Sequence, residues 1–153
     1  MCNVFGDLKM PKFSEASRLL LCQCHPDLQI IADTAIKFFD FTILDSTIRT
    51  NEQQEQFFKE GKSKTLNSKH LKKYFEDYNK DYSRAFDFAP YPIKWEDRER
   101  FCYLAGVFLG IAEILYNRNE IKHMIRWGGD WDNDRTTKDE SFSDIPHIEL
   151  IED

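Results

Sequence analysis

Residues 95–116 form the longest periodic segment of the chain, and their apolar side chains recur at helical spacing along one stripe. The members of that stripe are Phe101, Leu104, Ala105, Phe108 and Ile111. The longest apolar run, from Phe101 to Ala112, has 12 residues and is followed by Glu113, which leaves it well short of a membrane span. We therefore expect a long helix with one apolar face and no membrane insertion.

The segments around this helix predict an α+β fold. Ser14, Pro26 and the pair Thr50 and Gln53 each mark the start of a helix, the last by resembling a capping box. Short apolar segments predict strands at residues 41–46, 86–89, 121–127 and 148–151. Helices come first and strands are dispersed after them, which favours a small, mostly antiparallel sheet with flanking helices.

Length and charge limit the class of protein. A chain of 153 residues without a linker or repeat is expected to form one domain, 1–153. The 21 basic residues against 27 acidic residues give a net charge of −6, which argues against nucleic acid as a partner. No basic segment followed by an apolar one opens the chain, so we expect synthesis in the cytoplasm without a secretory signal.

Three side chains stand in settings that suit a metal. Asp87 lies within an otherwise apolar strand, where a carboxylate needs a partner or a metal. His70 ends a polar loop, and His147 lies where a turn enters an apolar strand. Two imidazoles and one carboxylate are a common catalytic zinc set, and Asp144 could act beside them as a general base. Spacing alone is a weak signal, because a satisfied buried carboxylate at Asp87 fits the pattern as well.

The motifs in order resemble a known family. Ser68, His70, Ala85 and Asp87 match parts of a Ser-x-His-x-x-Gly-x-Ala-x-Asp signature, and Asp144 and His147 match a later acidic-x-x-His. Residues 126–131 are similar to a Trp-Gly-Gly-Asp-Trp segment, and residues 49–54 to an Arg-Thr-x-x-x-Gln block. From about Pro26 onward the chain resembles the zinc D-Ala-D-Ala carboxypeptidase and L-alanyl-D-glutamate peptidase family, in its short phage-endolysin branch.

The resemblance implies a fold of the D-Ala-D-Ala metallopeptidase/hedgehog type and one catalytic Zn²⁺ held by His70, Asp87 and His147. It gives Asp144 the role of general base and then acid, and Arg49 a contact to the substrate or its carbonyl. The implied substrate is the bacterial peptidoglycan stem peptide, cut at an L-Ala–D-Glu bond by an endolysin that reaches the cell wall after release. A D-Ala-D-Ala carboxypeptidase or dipeptidase, and a non-catalytic zinc-binding relative, are the alternatives.

The chain departs from the family signature in two places. Ser83 replaces the glycine that follows the first histidine, and about ten residues within 71–82 are inserted in a segment that could be helical. His70 and Asp87 can converge if this insertion loops out. We expect the enzyme to be a monomer.

Four further residues are expected around the substrate or behind the ligands: Ser68, Gln54, Trp127 and Glu149. Glu149 shares the strand face of His147 by the two-residue period, which predicts a supporting contact. Trp127 and Trp131 fit the core or the cleft wall as well as they fit substrate contact. His123 is expected to be structural.

An acidic segment near the C-terminus presents oxygen atoms at alternate positions, as calcium loops do. Its candidate Ca²⁺ ligands are Asp130, Asp132, Asp134, Thr136, Asp139 and Glu140. A solvated acidic loop is an equally good interpretation.

Overall fold

The computed structural model describes residues 10–44 and 48–152. Four α-helices lie in these ranges: α1 (Glu15–Leu21), α2 (Pro26–Ala35), α3 (Asn51–Lys59) and α4 (Arg98–Asn117). The strands there are β1 (Phe41–Ile43), β2 (Lys73–Phe75), β3 (Lys80–Tyr82), β4 (Ala85–Pro90), β5 (Ile125–Trp127) and β6 (His147–Leu150). In this part of the chain, no helix has the length and apolar character needed to cross a membrane.

The predicted helix starts are confirmed by their caps. The Ser14 hydroxyl accepts a hydrogen bond from the Ser17 backbone, and Pro26 is the first residue of α2. Thr50 and Gln53 form a complete capping box at the start of α3. Each cap satisfies backbone N–H groups that the first helical turn leaves without a partner.

Four strands form one antiparallel sheet in the order β1-β4-β6-β5, which confirms the predicted fold class. The predicted strand at 41–46 is observed as β1, and its residues 45–46 lie outside the described ranges. The strand predicted from residue 121 begins only at Ile125. The backbone N–H groups of Lys122 and His123 donate to the Asp27 carboxylate instead of to a neighbouring strand.

One face of the sheet packs on α4 and forms the core. Phe86, Phe88 and Ile148 are fully buried on that face. The Phe108 ring of α4 lies 5.6 Å from the Phe86 ring and 5.0 Å from the Phe88 ring, in edge-to-face contacts. The opposite face of the same strands is free to carry polar side chains, and the candidate site lies there.

The helical interpretation of the insertion at residues 71–82 is wrong. Strands β2 and β3 form a two-stranded hairpin there, joined by a single turn of 3-10 helix, Glu76–Tyr78. Asn79 closes the turn with a left-handed φ of 48°. The Phe75 and Tyr82 rings lie 4.6 Å and 6.1 Å from the buried His25 ring, and this packing holds the hairpin in place.

Candidate metal centre

Strand register places the first two candidate ligands together. Asp87 of β4 and His147 of β6 are directly opposite each other in the antiparallel pair. Opposite residues project from the same face of a sheet with their Cβ atoms about 5 Å apart. The Asp87 Oδ1 and His147 Nδ1 atoms are accordingly 3.1 Å apart.

His70 reaches the same point from the segment that precedes β2. The Arg49 N–H donates to the His70 carbonyl, and the Arg84 N–H to the Lys69 carbonyl, both at 2.9 Å. His70 Nε2 lies 3.2 Å from Asp87 Oδ1 and 3.3 Å from His147 Nδ1. The structure thus brings together the three ligands that the sequence selected, and these side chains could hold a metal ion.

A buried carboxylate orients His147 from behind. Glu149 Oε2 is 2.9 Å from His147 Nε2, and Glu149 Oε1 accepts a hydrogen bond of 2.6 Å from Arg126 Nη2. Because Glu149 accepts a hydrogen bond from His147 Nε2, Nδ1 is the ring nitrogen that faces Asp87 and His70 and that could ligate a metal. Such an outer partner commonly fixes the tautomer of a ligating histidine.

The ionisation of the cluster is set by these contacts. Burial lowers the pKa of His70. Burial alone would raise the pKa of Asp87, but hydrogen bonds from both imidazoles outweigh it and lower that pKa. Burial opposes the charge on His147, yet its bonds to Asp87 and Glu149 raise its pKa to about 9. A cation between the three donor atoms would replace the proton through which His147 Nδ1 binds Asp87.

Asp144 lines the same cleft, which has a volume of about 600 Å³, without joining the three donor atoms. Its backbone N–H donates to the Gly128 carbonyl at 2.7 Å, and its carbonyl accepts from the His147 N–H at 3.0 Å. Burial raises the pKa of the Asp144 carboxyl above its ordinary value.

Comparison with known proteins identifies the family. Residues 10–151 match the model of the phage L-alanyl-D-glutamate peptidase family. The chain belongs to this family. The crystal structure of the L-Ala D-Glu endopeptidase ChiX of Serratia marcescens has the same fold, with a TM-score of 0.66 and 23% identity over 95% of this chain and 94% of that one. No curated protein matches the sequence significantly.

Family membership confirms the resemblance inferred from the motifs, and it makes the chain an enzyme that hydrolyses peptidoglycan. In this peptidase, Arg49 lines the cleft and donates from Nη1 to Gln54 Oε1 at 3.1 Å. Gln54 is buried, and its Nε2 donates to Ser63 Oγ at 2.8 Å and to the Thr65 carbonyl at 2.6 Å. Gln54 therefore positions Arg49 and the loop after α3.

The remaining predicted site residues divide between the cleft and the core. Ser68 lines the cleft, and its hydroxyl accepts from the His70 N–H at 3.2 Å. Trp131 also lines the cleft, stacked on Phe142 with ring centroids 6.3 Å apart. Trp127 lies in the core, where its Nε1 donates to the Ile145 carbonyl at 2.7 Å.

Three of the six candidate calcium ligands converge. Asp130, Asp132 and Asp134 can each place one oxygen within 4.8 Å of the others. These carboxylates accept hydrogen bonds from backbone N–H groups of the same loop, including those of Arg135 and Thr136. Asp139 and Glu140 are not part of the converging set, and Thr136 donates its backbone N–H to Asp134 Oδ1.

A second histidine cluster, formed by His25, Asp27 and His123, lies away from the cleft. Asp27 Oδ2 accepts from His123 Nδ1 at 2.8 Å and from the N–H groups of Lys122 and His123 at 3.0 Å. With three donors on one oxygen, this cluster clamps the start of α2 to the segment before β5. His123 is thus structural, as predicted.

Sequence reasoning missed two residues that position the site. Arg126 faces Glu149 across β5 and β6, a pairing that only the register reveals. Gly128 touches the loop of Asp144, because a Cβ added to Gly128 would lie 2.3 Å from the Asp144 carbonyl oxygen. The double glycine was the available signal, since glycine permits close backbone approach.

Proposed function

We propose that the chain is a zinc endopeptidase that cleaves the L-Ala–D-Glu bond of peptidoglycan stem peptides. The observation that carries the proposal is the triangle of His70 Nε2, Asp87 Oδ1 and His147 Nδ1, with sides of 3.1–3.3 Å. A tetrahedral zinc ion about 2.0–2.1 Å from each ligand separates its ligands by about 3.3 Å. Two imidazoles also favour zinc over the hard cations magnesium and calcium.

The side chains of the cleft divide the reaction between them. When bound, zinc supplies a Lewis acid that polarises the scissile carbonyl. Asp144 removes a proton from the attacking water and returns it to the leaving amine. The Arg49 guanidinium donates hydrogen bonds to substrate oxygen, and Gln54 holds it in place for that contact.

The charge of the cleft rim fits the substrate. A γ-linked D-glutamate keeps a free α-carboxylate beside the scissile nitrogen. The cleft lining includes Arg49 and Lys64, besides Lys62 and Lys69, which are paired with Glu60 and Glu152. The family match supports the L-Ala–D-Glu bond over a D-Ala–D-Ala bond. Asp144 supports an enzyme over a non-catalytic zinc-binding relative, which would need no base.

The test is the variant Asp144→Asn, which keeps the shape of the side chain and removes the base. We expect it to retain one zinc per chain and to lose wall-clearing activity by about 10²–10⁴-fold. His147→Ala is the matched control, because it removes a ligand and should lose the metal itself. Loss of zinc in Asp144→Asn would make Asp144 a ligand, and full activity would place the base elsewhere. Clearing that survives complete zinc removal would overturn the zinc mechanism.

Four properties predicted from the sequence stay predictions: the single catalytic domain, the monomeric state, the synthesis in the cytoplasm and the binding of calcium at residues 130–140. For calcium, the only support is the converging carboxylates of Asp130, Asp132 and Asp134.

A further inference from the structure

We propose that a second groove beside the active site binds the glycan strand of peptidoglycan. This inference rests on the proposed function, and it assigns a role to the inserted hairpin. The groove has a volume of about 560 Å³ and lies between the β2–β3 hairpin, the end of α4 and the segment before β5.

The walls of the groove present tyrosine rings to solvent. Tyr74 and Tyr78 of the hairpin are 54% and 38% exposed, and Tyr116 of α4 is 44% exposed. Sugar rings have apolar C–H faces and polar edges, and tyrosine offers an apolar ring with a hydroxyl that can form hydrogen bonds. Three such rings in one concave surface therefore suit a carbohydrate.

The charges of the groove favour an uncharged ligand. Lys122 Nζ lies 2.7 Å from Asp77 Oδ2, and Lys73 Nζ lies 2.6 Å from Glu152 Oε1. Each lysine is thus already paired with a carboxylate, and the groove is not the basic surface that an anionic polymer requires. A muramic acid residue that carries a stem peptide has its lactyl carboxyl in an amide, so the glycan there is neutral.

The groove adjoins the active-site cleft. Lys69 lines the cleft and Lys73 lines the groove, and both bind the single carboxylate of Glu152, at 2.7 Å and 2.6 Å. In the proposed substrate, L-Ala is the residue that joins the peptide to the sugar. One residue spans at most about 3.6 Å, so the sugar must lie just outside the cleft when the bond after L-Ala is cut.

The hairpin does not need its exposed tyrosine to fold. Strand alternation turns Phe75 and Tyr82 inward onto His25, while Tyr74 faces outward. Within residues 10–44 and 48–152, the Tyr74 hydroxyl donates to Asn79 of the same hairpin. Tyr74→Ala is therefore expected to remain folded, which a thermal melt can check.

The direct test uses glycan strands from which an amidase has removed the stem peptides and whose freed lactyl carboxyls have then been capped as methylamides, so that the strands stay neutral. We expect the otherwise native Asp144→Asn protein to bind them, with NMR shift changes at Tyr74 and Tyr116. Tyr74→Ala and Tyr116→Ala should each weaken binding by about two- to tenfold, the range of one aromatic contact. Tyr103→Ala is the matched control, because Tyr103 is a 68% exposed tyrosine of α4 that does not line the groove.

Activity provides a second readout in the enzyme with Asp144 intact. The groove variants should cleave a soluble L-Ala-γ-D-Glu peptide at the native rate and intact cell walls more slowly. Absence of glycan binding, or equal binding by the tyrosine variants, would overturn the glycan site even if the peptide is cleaved. Failure of all variants and of the native enzyme to cleave the peptide would instead count against the proposed function.

Discussion

Replacing Gly128 by alanine should displace Asp144, the proposed general base, without removing the proposed metal ligands. The new Cβ would lie 2.3 Å from the Asp144 carbonyl oxygen and 3.0 Å from its carbonyl carbon. Ordinary contact begins near 3.4 Å, so the backbone of Asp144 must move by roughly 1 Å, the difference of 3.4 and 2.3. A flexible side chain could relieve such a clash by rotating. The Asp144 backbone is held by hydrogen bonds to Gly128 and His147, so the whole residue has to be displaced.

The expected loss follows from that displacement. Moving a catalytic group by about 1 Å costs on the order of 10²-fold in rate, which is about 2.7 kcal/mol of transition-state stabilisation. The assay is kcat/KM on a soluble L-Ala-γ-D-Glu peptide, with zinc content measured on the same samples. Zinc should stay bound, because His147 is held by Glu149 and by the pairing of β6 with β4.

Gly110→Ala is the matched control. Gly110 lies in α4, and a Cβ added there meets no atom within 4 Å, so alanine should leave activity unchanged and can stabilise the helix by up to about 1 kcal/mol. Activity of Gly128→Ala within a factor of three of the native enzyme would refute the argument, since Asp144 would then not depend on contact with Gly128.

Two further predictions concern carboxylates outside the donor triangle. Glu149→Gln should weaken zinc affinity by about 10–100-fold in a competition with a chelator, and an unchanged affinity would contradict its support of His147. Burial alone would raise the pKa of Glu152, but hydrogen bonds from Lys69, Lys73 and Arg84 lower it from 4.5 to about 2. Because the pKa of Glu152 is lower in the folded protein than in the unfolded chain, its ion pairs stabilise the fold above pH 4.5. This stabilisation is lost as the pH falls toward 2. Between pH 5 and pH 2, the free energy of unfolding measured in urea should fall less in Glu152→Gln than in the native protein, by at most about 3 kcal/mol. The same fall in both proteins would contradict the prediction.

The sequence predicted those parts of the fold that depend on neighbours in the chain. The caps at Ser14 and Thr50 use partners three residues away, and the apolar stripe of α4 recurs within one helix. The motifs selected His70, Asp87 and His147 as candidate ligands. That these side chains lie within 3.3 Å of one another follows from the sheet and could not be predicted from the motifs.

The failures depend on contacts between distant segments. The hairpin at 71–82 is rich in charge, and Phe75 becomes a strand residue by packing on His25, 50 positions earlier. The late start of β5 has the same origin, because the Asp27 carboxylate captures the N–H groups of Lys122 and His123. No local pattern could have indicated either contact.

The register of β4 against β6 specifies the core and the metal centre together. Asp87 can face His147 only while Phe86 and Phe88 face the helices, because the side chains of a strand alternate. A slip of one residue would turn both phenylalanines toward solvent, and burial of each contributes about 1.5–3 kcal/mol. The contributions of the two phenylalanines together exceed that of the hydrogen bond between Asp87 and His147, because a hydrogen bond to a charged group contributes about 1.5–3 kcal/mol. The burial of the apolar face of β4, rather than the polar contacts of the site, therefore fixes the spacing of the donor atoms.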